Sequence, residues 1–227
     1  AEDGAGDFVL FAYGSLLWDE SDIVSSGAYV VKRTPAVLLN CCRSLCCQSF
    51  EYRGTESNPG LCMGLKLKGK EANRADGVEK LEKADGCHGV LLQLRPGASA
   101  MAACDRREMF TGAYTREWLT CKVKRDPLQG SSPHDTEEDT EFTGCWAYVM
   151  NEESRHSAPD SLVEDHQAAA RVIATAKGKK GKCIDYVRMV VSKLQEVGLP
   201  VEEEIIKTLQ IAEDLSMQDS VSSPPCP

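Results

Sequence analysis

Three groups in this chain have the residue types and spacing to do chemistry. Glu108 stands beside an apolar residue at the end of a helix-forming segment, with Gly112 and Tyr114 in the turn that follows. An acid so placed is either a surface group paired with Arg106 or Arg107, or a catalytic carboxylate. The second group is Tyr13-Gly14-Ser15-Leu16, where an apolar run breaks. Gly14 frees the backbone to turn, and Ser15 adds a hydroxyl and an N–H. That segment is either a plain strand-to-loop turn or a rigidly held grip for a small polar ligand. Arg53, in the turn-rich stretch Glu51 to Gly60, is the third. It reads as a solvated surface cation or as a planar fork for a carboxylate.

Other standard machinery is missing. The sequence has no GxSxG, no Walker loop, no GxGxxG after a strand and no HExxH. Its four histidines (His88, His134, His156, His166) are scattered, and His134 in an acidic loop reads as surface. The 11 cysteines are odd in number, and Cys41-Cys42 with Cys46-Cys47 form the one cluster, without a CxxC pair. Zinc ligation and a disulfide framework are therefore set aside in favour of buried free thiols in a reducing cytosol. A formal charge of -9 argues against nucleic-acid binding. No apolar run approaches a membrane span and Ala1-Glu2-Asp3-Gly4 lacks signal-peptide character, so a cytoplasmic location is expected.

The elements that must position these groups follow from the apolar pattern. Phe8 to Ala12 is unbroken by polar residues, as in a strand buried on both faces. Trp18 to Ser26 reads as a loop or short turn. Strand patterns begin at Gly27 and continue through Ala36–Phe50, Leu61–Leu67, Cys87–Leu94, Trp118–Val123 and Phe142–Met150. Ala98–Met109 is the helix among them. Three further helices are expected over Ser161–Ala176, Cys183–Val197 and Val201–Leu215, with Gly198-Leu199-Pro200 as a stop. The charged stretch near 68–85 is a short surface helix or an insertion, 126–141 is an acidic loop, and 216–227 is a disordered tail. At 227 residues the expectation is one α+β domain, with a core over about 8–215. Its form would be a small curled mixed sheet or barrel with flanking helices gathered toward the C-terminus.

Taken together the blocks resemble a family. Phe11-Ala12-Tyr13-Gly14-Ser15-Leu16 with Trp18 is similar to the YGSL signature of γ-glutamylcyclotransferases in their ChaC-like, glutathione-specific branch. Arg53-Gly54-Thr55 with Pro59-Gly60 resembles that branch's RGT…PG segment, and Arg107-Glu108 with Gly112-Ala113-Tyr114-Thr115 its RE…GGY segment. The helix at Cys183-Ile184-Asp185-Tyr186-Val187 also has a counterpart, and the resemblance runs over roughly residues 8 to 212. Ala12, Tyr52 and Ala113 stand where the branch has Gly, His and Gly, which leaves the exact γ-glutamyl substrate open.

The resemblance implies an intramolecular reaction. The α-amine of a γ-glutamyl group attacks its own γ-amide carbonyl, giving 5-oxoproline and, from glutathione, Cys-Gly. Proximity favours ring closure, so the protein must fold the substrate back on itself and manage protons. Glu108 would shuttle the proton, its pKa raised toward neutrality by partial burial. The substrate-binding set would be Leu10, Phe11, Ala12, Tyr13, Gly14, Ser15, Leu16, Arg53 and Tyr114. Backbone N–H groups of the turn would face the α-carboxylate and the developing oxyanion. The chemistry requires no metal or organic cofactor. Expected partners are glutathione or another γ-glutamyl compound, with neither nucleic acid nor membrane, in a monomer or weak dimer. The rival readings are action on other γ-glutamyl amino acids or amines, a non-catalytic metabolite-binding protein, and redox chemistry at the Cys41–Cys47 cluster.

Overall fold

A computed structural model describes residues 6–68, 86–124 and 140–222. The stretches near 68–85 and 126–141 thus fall almost entirely outside the described residues. The chain divides into two compact units, one of residues 1–42 and 66–149, the other of residues 43–65 and 150–227.

The first unit is built on a closed five-stranded barrel. Its strands are β1 (Phe8–Ala12), β2 (Tyr29–Leu39), β5 (Gly86–Arg95), β6 (Tyr114–Lys124) and β7 (Thr140–Met150), in the order β1-β5-β2-β6-β7. β1 runs antiparallel to β5, from Phe8 opposite Leu94 to Ala12 opposite Val90. It lies parallel to β7 through Leu10 and Trp146, which makes the sheet mixed. The expected α+β class with a curled mixed sheet closing into a barrel is the one observed. Leu10, Phe11, Leu38, Leu92 and Leu94 are essentially without exposure. Gly89 makes room for the Phe11 ring, because a Cβ there would lie 2.5 Å from Phe11 Cζ.

Helix α1 (Ser21–Ser25) falls inside the stretch expected as loop; five polar-rich residues are too few to show a helical period. Helix α2 (Gly97–Glu108) packs on β1 and β5 through Ala100, Ala103 and Cys104. Its first residue lies against the start of β1, with Gly97 N donating to Gly6 O at 3.1 Å. The apolar stretch 36–50 is two strands, not one. It breaks at Asn40, which has φ 55°, a left-handed conformation that asparagine tolerates.

The second unit holds most of the two-stranded pair β3 (Cys41–Ser49) and β4 (Gly60–Leu67). It also carries four of the six helices found among the described residues: α3 (Asp160–Val163), α4 (His166–Thr175), α5 (Cys183–Glu196) and α6 (Glu203–Ser222). Leu61, Met63, Leu65, Ile173, Val187, Val190 and Leu194 fill its core. The single helix expected over Ser161–Ala176 is interrupted because Asp165 caps α4, accepting from Gln167 N and Ala168 N at 2.9 and 3.1 Å. A small hairpin of β8 (Lys177–Gly178) and β9 (Gly181–Lys182) occupies the expected break. Helix α6 continues through Ser222, into the stretch read as a disordered tail.

Candidate active site

The candidate site begins where β1 leaves the barrel. Leu10, Phe11 and Ala12 lie in the core, at 0%, 1% and 0% exposure with their backbone included. Tyr13 is also buried, and its hydroxyl donates to Tyr148 O at 2.7 Å, pinning the exit of β1 to β7. Gly14 then opens a single 3₁₀ turn over Ser15–Leu17, closed by Leu17 N to Gly14 O at 3.0 Å and Asp19 N to Ser15 O at 2.9 Å. A helical turn satisfies its later N–H groups and leaves its first ones pointing outward. Here those are Ser15 and Leu16, the donors expected to grip an anion.

Glu108 is the last residue of α2, and its side chain is 16% exposed. Arg107 ties it to the turn. Nε of Arg107 lies 2.9 Å from Glu108 Oε1 in an ion pair, while Nη2 donates to Ser15 Oγ at 2.8 Å. Nη1 of the same guanidinium donates to Asp19 O at 2.7 Å and lies 3.5 Å from the Asp22 carboxylate, and Nη2 lies 3.5 Å from the Asp19 carboxylate. The base candidate and the turn candidate thus share one cation.

Two further groups border Glu108. The Cys104 thiol is pushed up to about 12, first by burial and then by the Glu108 charge. Burial likewise holds the Tyr148 hydroxyl far above its ordinary value, helped by its bond to Asp105 Oδ1 at 2.8 Å and by the charge of Glu108. Asp105 is held in turn by Arg116. Neither Tyr148 nor Asp105 stands out in the sequence, since Trp146-Ala147-Tyr148-Val149-Met150 reads as plain core strand. The available signal was chemical: a tyrosine in a buried strand needs a partner for its hydroxyl.

Tyr114 opens β6 directly after the turn Met109–Gly112, half-buried. Gly112 has φ 72° and donates its N–H to Met109 O at 2.9 Å. The turn therefore requires a residue free to adopt the left-handed region, while Ala113 beside it is buried and needs no such freedom.

Arg53 belongs to the second unit. Its N–H donates to Ser49 Oγ at 3.0 Å, Nη1 donates to Lys180 O at 2.5 Å, and the guanidinium lies 5.2 Å from the Tyr186 ring centre. The two glycines of Arg53-Gly54-Thr55…Pro59-Gly60 have a packing reason. A Cβ on Gly54 would sit 2.0 Å from Gly60 N, and one on Gly60 would sit 2.2 Å from Arg53 O. That loop also holds the small hairpin, through Lys179 N to Glu51 O at 2.8 Å and Lys180 N to Tyr52 O at 2.9 Å.

Among the described residues no group of three or more His, Cys, Asp or Glu side chains is arranged to hold a metal ion. Ten cysteines there are free thiols, eight of them buried. No helix among the described residues is long and apolar enough to cross a membrane.

A crystal structure described as a selenomethionine-labelled γ-glutamyl cyclotransferase specific to glutathione, from yeast, has a similar fold. The TM-score is 0.68 at 16% identity, covering 92% of this chain and 96% of that one. A second yeast crystal structure, described as the same glutathione-specific protein, gives 0.66 at 16% identity over 93% of this chain and 100% of that one. A structure described as a γ-glutamyl cyclotransferase gives 0.50 at 15% identity, covering 93% and 99%. No curated protein sequence matches the chain. The sequence profile of the family described as ChaC-like protein matches residues 8–213, and a match over so much of its length places the chain in the ChaC-like family.

Proposed function

We propose that this protein is a γ-glutamylcyclotransferase that cleaves glutathione to 5-oxoproline and Cys-Gly. Family membership and a fold shared with two yeast proteins described as specific to glutathione support the substrate. The observation that carries the chemistry is the shared guanidinium, with Glu108 on Arg107 Nε and Ser15 on Nη2.

The steps follow from what each group can do. The γ-glutamyl α-carboxylate docks on the N–H groups of Ser15 and Leu16, which leaves the α-amine to reach back to the γ-carbonyl. An ammonium has no lone pair, so a base must take a proton before attack. Glu108 is that base. Arg107 beside it favours the ionised carboxylate, the form able to accept the proton, and so opposes the rise expected from partial burial. Attack closes a five-membered ring, and the N–H groups of the Tyr13–Leu16 turn are the donors assigned to the negative charge on the γ-oxygen. Glu108 then passes its proton to the departing cysteinyl nitrogen, the C–N bond breaks, and Glu108 takes the second proton from the ring nitrogen and hands it to the released amine. Tyr114 contributes its hydroxyl to the γ-glutamyl end. The free thiols fit a reducing compartment, and a cytoplasmic location belongs to this reading.

Incubation with glutathione and with a panel of γ-glutamyl amino acids and amines tests the proposal. The expected result is 5-oxoproline with equimolar Cys-Gly from glutathione, at a rate well above the other substrates. Preference for another γ-glutamyl compound would retain the reaction and change the substrate. Saturable binding with no product at any pH would remove the enzyme.

A further inference from the structure

We propose that Arg107 is a positioning residue for this reaction, fixing the Glu108 carboxylate relative to the Ser15 turn by a planar fork that lysine cannot replace. The inference rests on the cyclotransferase reading above and adds a residue to it. Arg107 follows from its contacts, not from its place in the sequence. Its side chain is only 11% exposed, so its donors are directed into the protein. Nε faces Glu108 at 2.9 Å, Nη2 faces Ser15 Oγ at 2.8 Å, and Nη1 faces Asp19 O at 2.7 Å. All three nitrogens of one rigid plane are thereby used, their shortest contacts falling on Glu108, Ser15 and Asp19. An ammonium on a flexible stem is a point charge and cannot hold three acceptors in fixed mutual directions.

A bland role is also open to such a residue. A cation in the last turn of a helix steadies the helix dipole, as Arg106 and Arg107 both can. That role would need neither the turn nor Glu108, and two contacts speak against it. The Ser15 hydroxyl and the Asp19 carbonyl belong to the turn after β1, far along the chain from α2. The guanidinium therefore sets a distance between the base and the N–H groups that would hold the substrate. Reaction rates are steep in such a distance; displacement by about 1 Å can cost on the order of 10²-fold.

The charge gives a readout that a purely structural tie would not move. The groups facing Glu108 and Arg107 are Cys104 and Asp105 on α2, Tyr148 from β7, and Asp19 and Asp22 beyond the turn. These groups are neutral or acidic, the nearby cation Arg116 is committed to Asp105, and Arg107 is the cation paired directly with Glu108.

The test is 5-oxoproline release from glutathione across pH for wild type, Arg107→Gln and Arg107→Lys, each checked for folding by thermal unfolding. For Arg107→Gln the expected result is a loss in kcat on the order of 10²-fold with a smaller change in KM. Its acidic limb should also move to higher pH, because Glu108 then needs a higher pH to ionise. Arg107→Lys keeps the charge and should leave the limb near its wild-type position, yet still lose kcat at least about 10-fold. A wild-type kcat in either folded variant would overturn the inference, as would a kcat loss in Arg107→Gln with an unmoved limb. If Arg107→Gln does not fold, Arg107→Lys decides alone, its kcat loss supporting the inference and a wild-type kcat refuting it. Failure of the underlying reading looks different: wild type itself would release no 5-oxoproline from any γ-glutamyl substrate.

Discussion

Tyr13 is buried, and its side chain ties the turn to the barrel. Its hydroxyl gives the carbonyl of Tyr148 a buried partner at 2.7 Å and sets where β1 turns out of the barrel. Tyr13→Phe should cost about 1–3 kcal/mol of stability, since the acceptor left behind is desolvated and unmatched by that bond. Denaturant unfolding measures it. Cys104 makes a second prediction. With its thiol held at about 12, it carries almost no thiolate at neutral pH, and the nucleophile in thiol chemistry is the thiolate. A thiolate-selective alkylating reagent at pH 7.5 should leave Cys104 unlabelled in the folded protein and label it after unfolding, as read by peptide mass spectrometry. Glu108 itself was legible as a candidate from its place at a helix end before Gly112 and Tyr114, and its catalytic role only through the family resemblance. Arg107 was legible only as an ion-pair partner. Its bonds to Ser15 and Asp19 cross about 90 residues of chain, and only the closed barrel brings those segments together.

The strands and helices divide between those the sequence announces and those that tertiary contacts create. β1, β4 and β5 could be read directly, because burial imposes an apolar pattern over five to ten residues. The split between α3 and α4 could not be read from periodicity, since apolar spacing continues past Asp165 while the backbone does not. Asp165→Ala removes the acceptor for two N–H groups and should cost about 0.5–2 kcal/mol, visible as a lower denaturation midpoint. The Gly54–Gly60 contact was hidden for another reason: turn-forming composition predicts a loop but not that its two ends touch. Gly54→Ala has no free space for its methyl group and should destabilise by about 1–3 kcal/mol or more. If that variant unfolds at the wild-type midpoint, the tight approach has been misjudged. Arg43, fully buried in its side chain and forked onto Glu202 at 2.7 and 2.9 Å, was equally invisible inside a cysteine-rich strand.

For the molecule as a whole, the buried thiols make stability depend on alkaline pH. An unfolded cysteine begins to ionise near 9.0, whereas Cys183 is pushed up to about 11 and Cys104 to about 12, burial being the first cause for both. The folded state thus keeps protons that the unfolded state loses. The resulting stabilisation is fully present below pH 9 and lost as pH rises toward 11 and 12, at about 1.4 kcal/mol per group per pH unit. Stability measured by denaturant from pH 8 to 11 should fall progressively, and replacement of both cysteines by alanine should flatten the slope. The fold class was recoverable from the sequence because strand patterns dominate its first two-thirds and helix patterns its end. The grouping of chain into two units was not, because residues 43–65 join 150–227 through contacts that no local pattern carries. The central claim, a cyclotransferase that uses Glu108, reduces to one comparison: 5-oxoproline release from glutathione by wild type and by Glu108→Gln, with glutathione binding measured in parallel. Wild type should turn over glutathione and the variant should lose about 10²–10⁴-fold, with binding retained. Near-normal release by Glu108→Gln would contradict it.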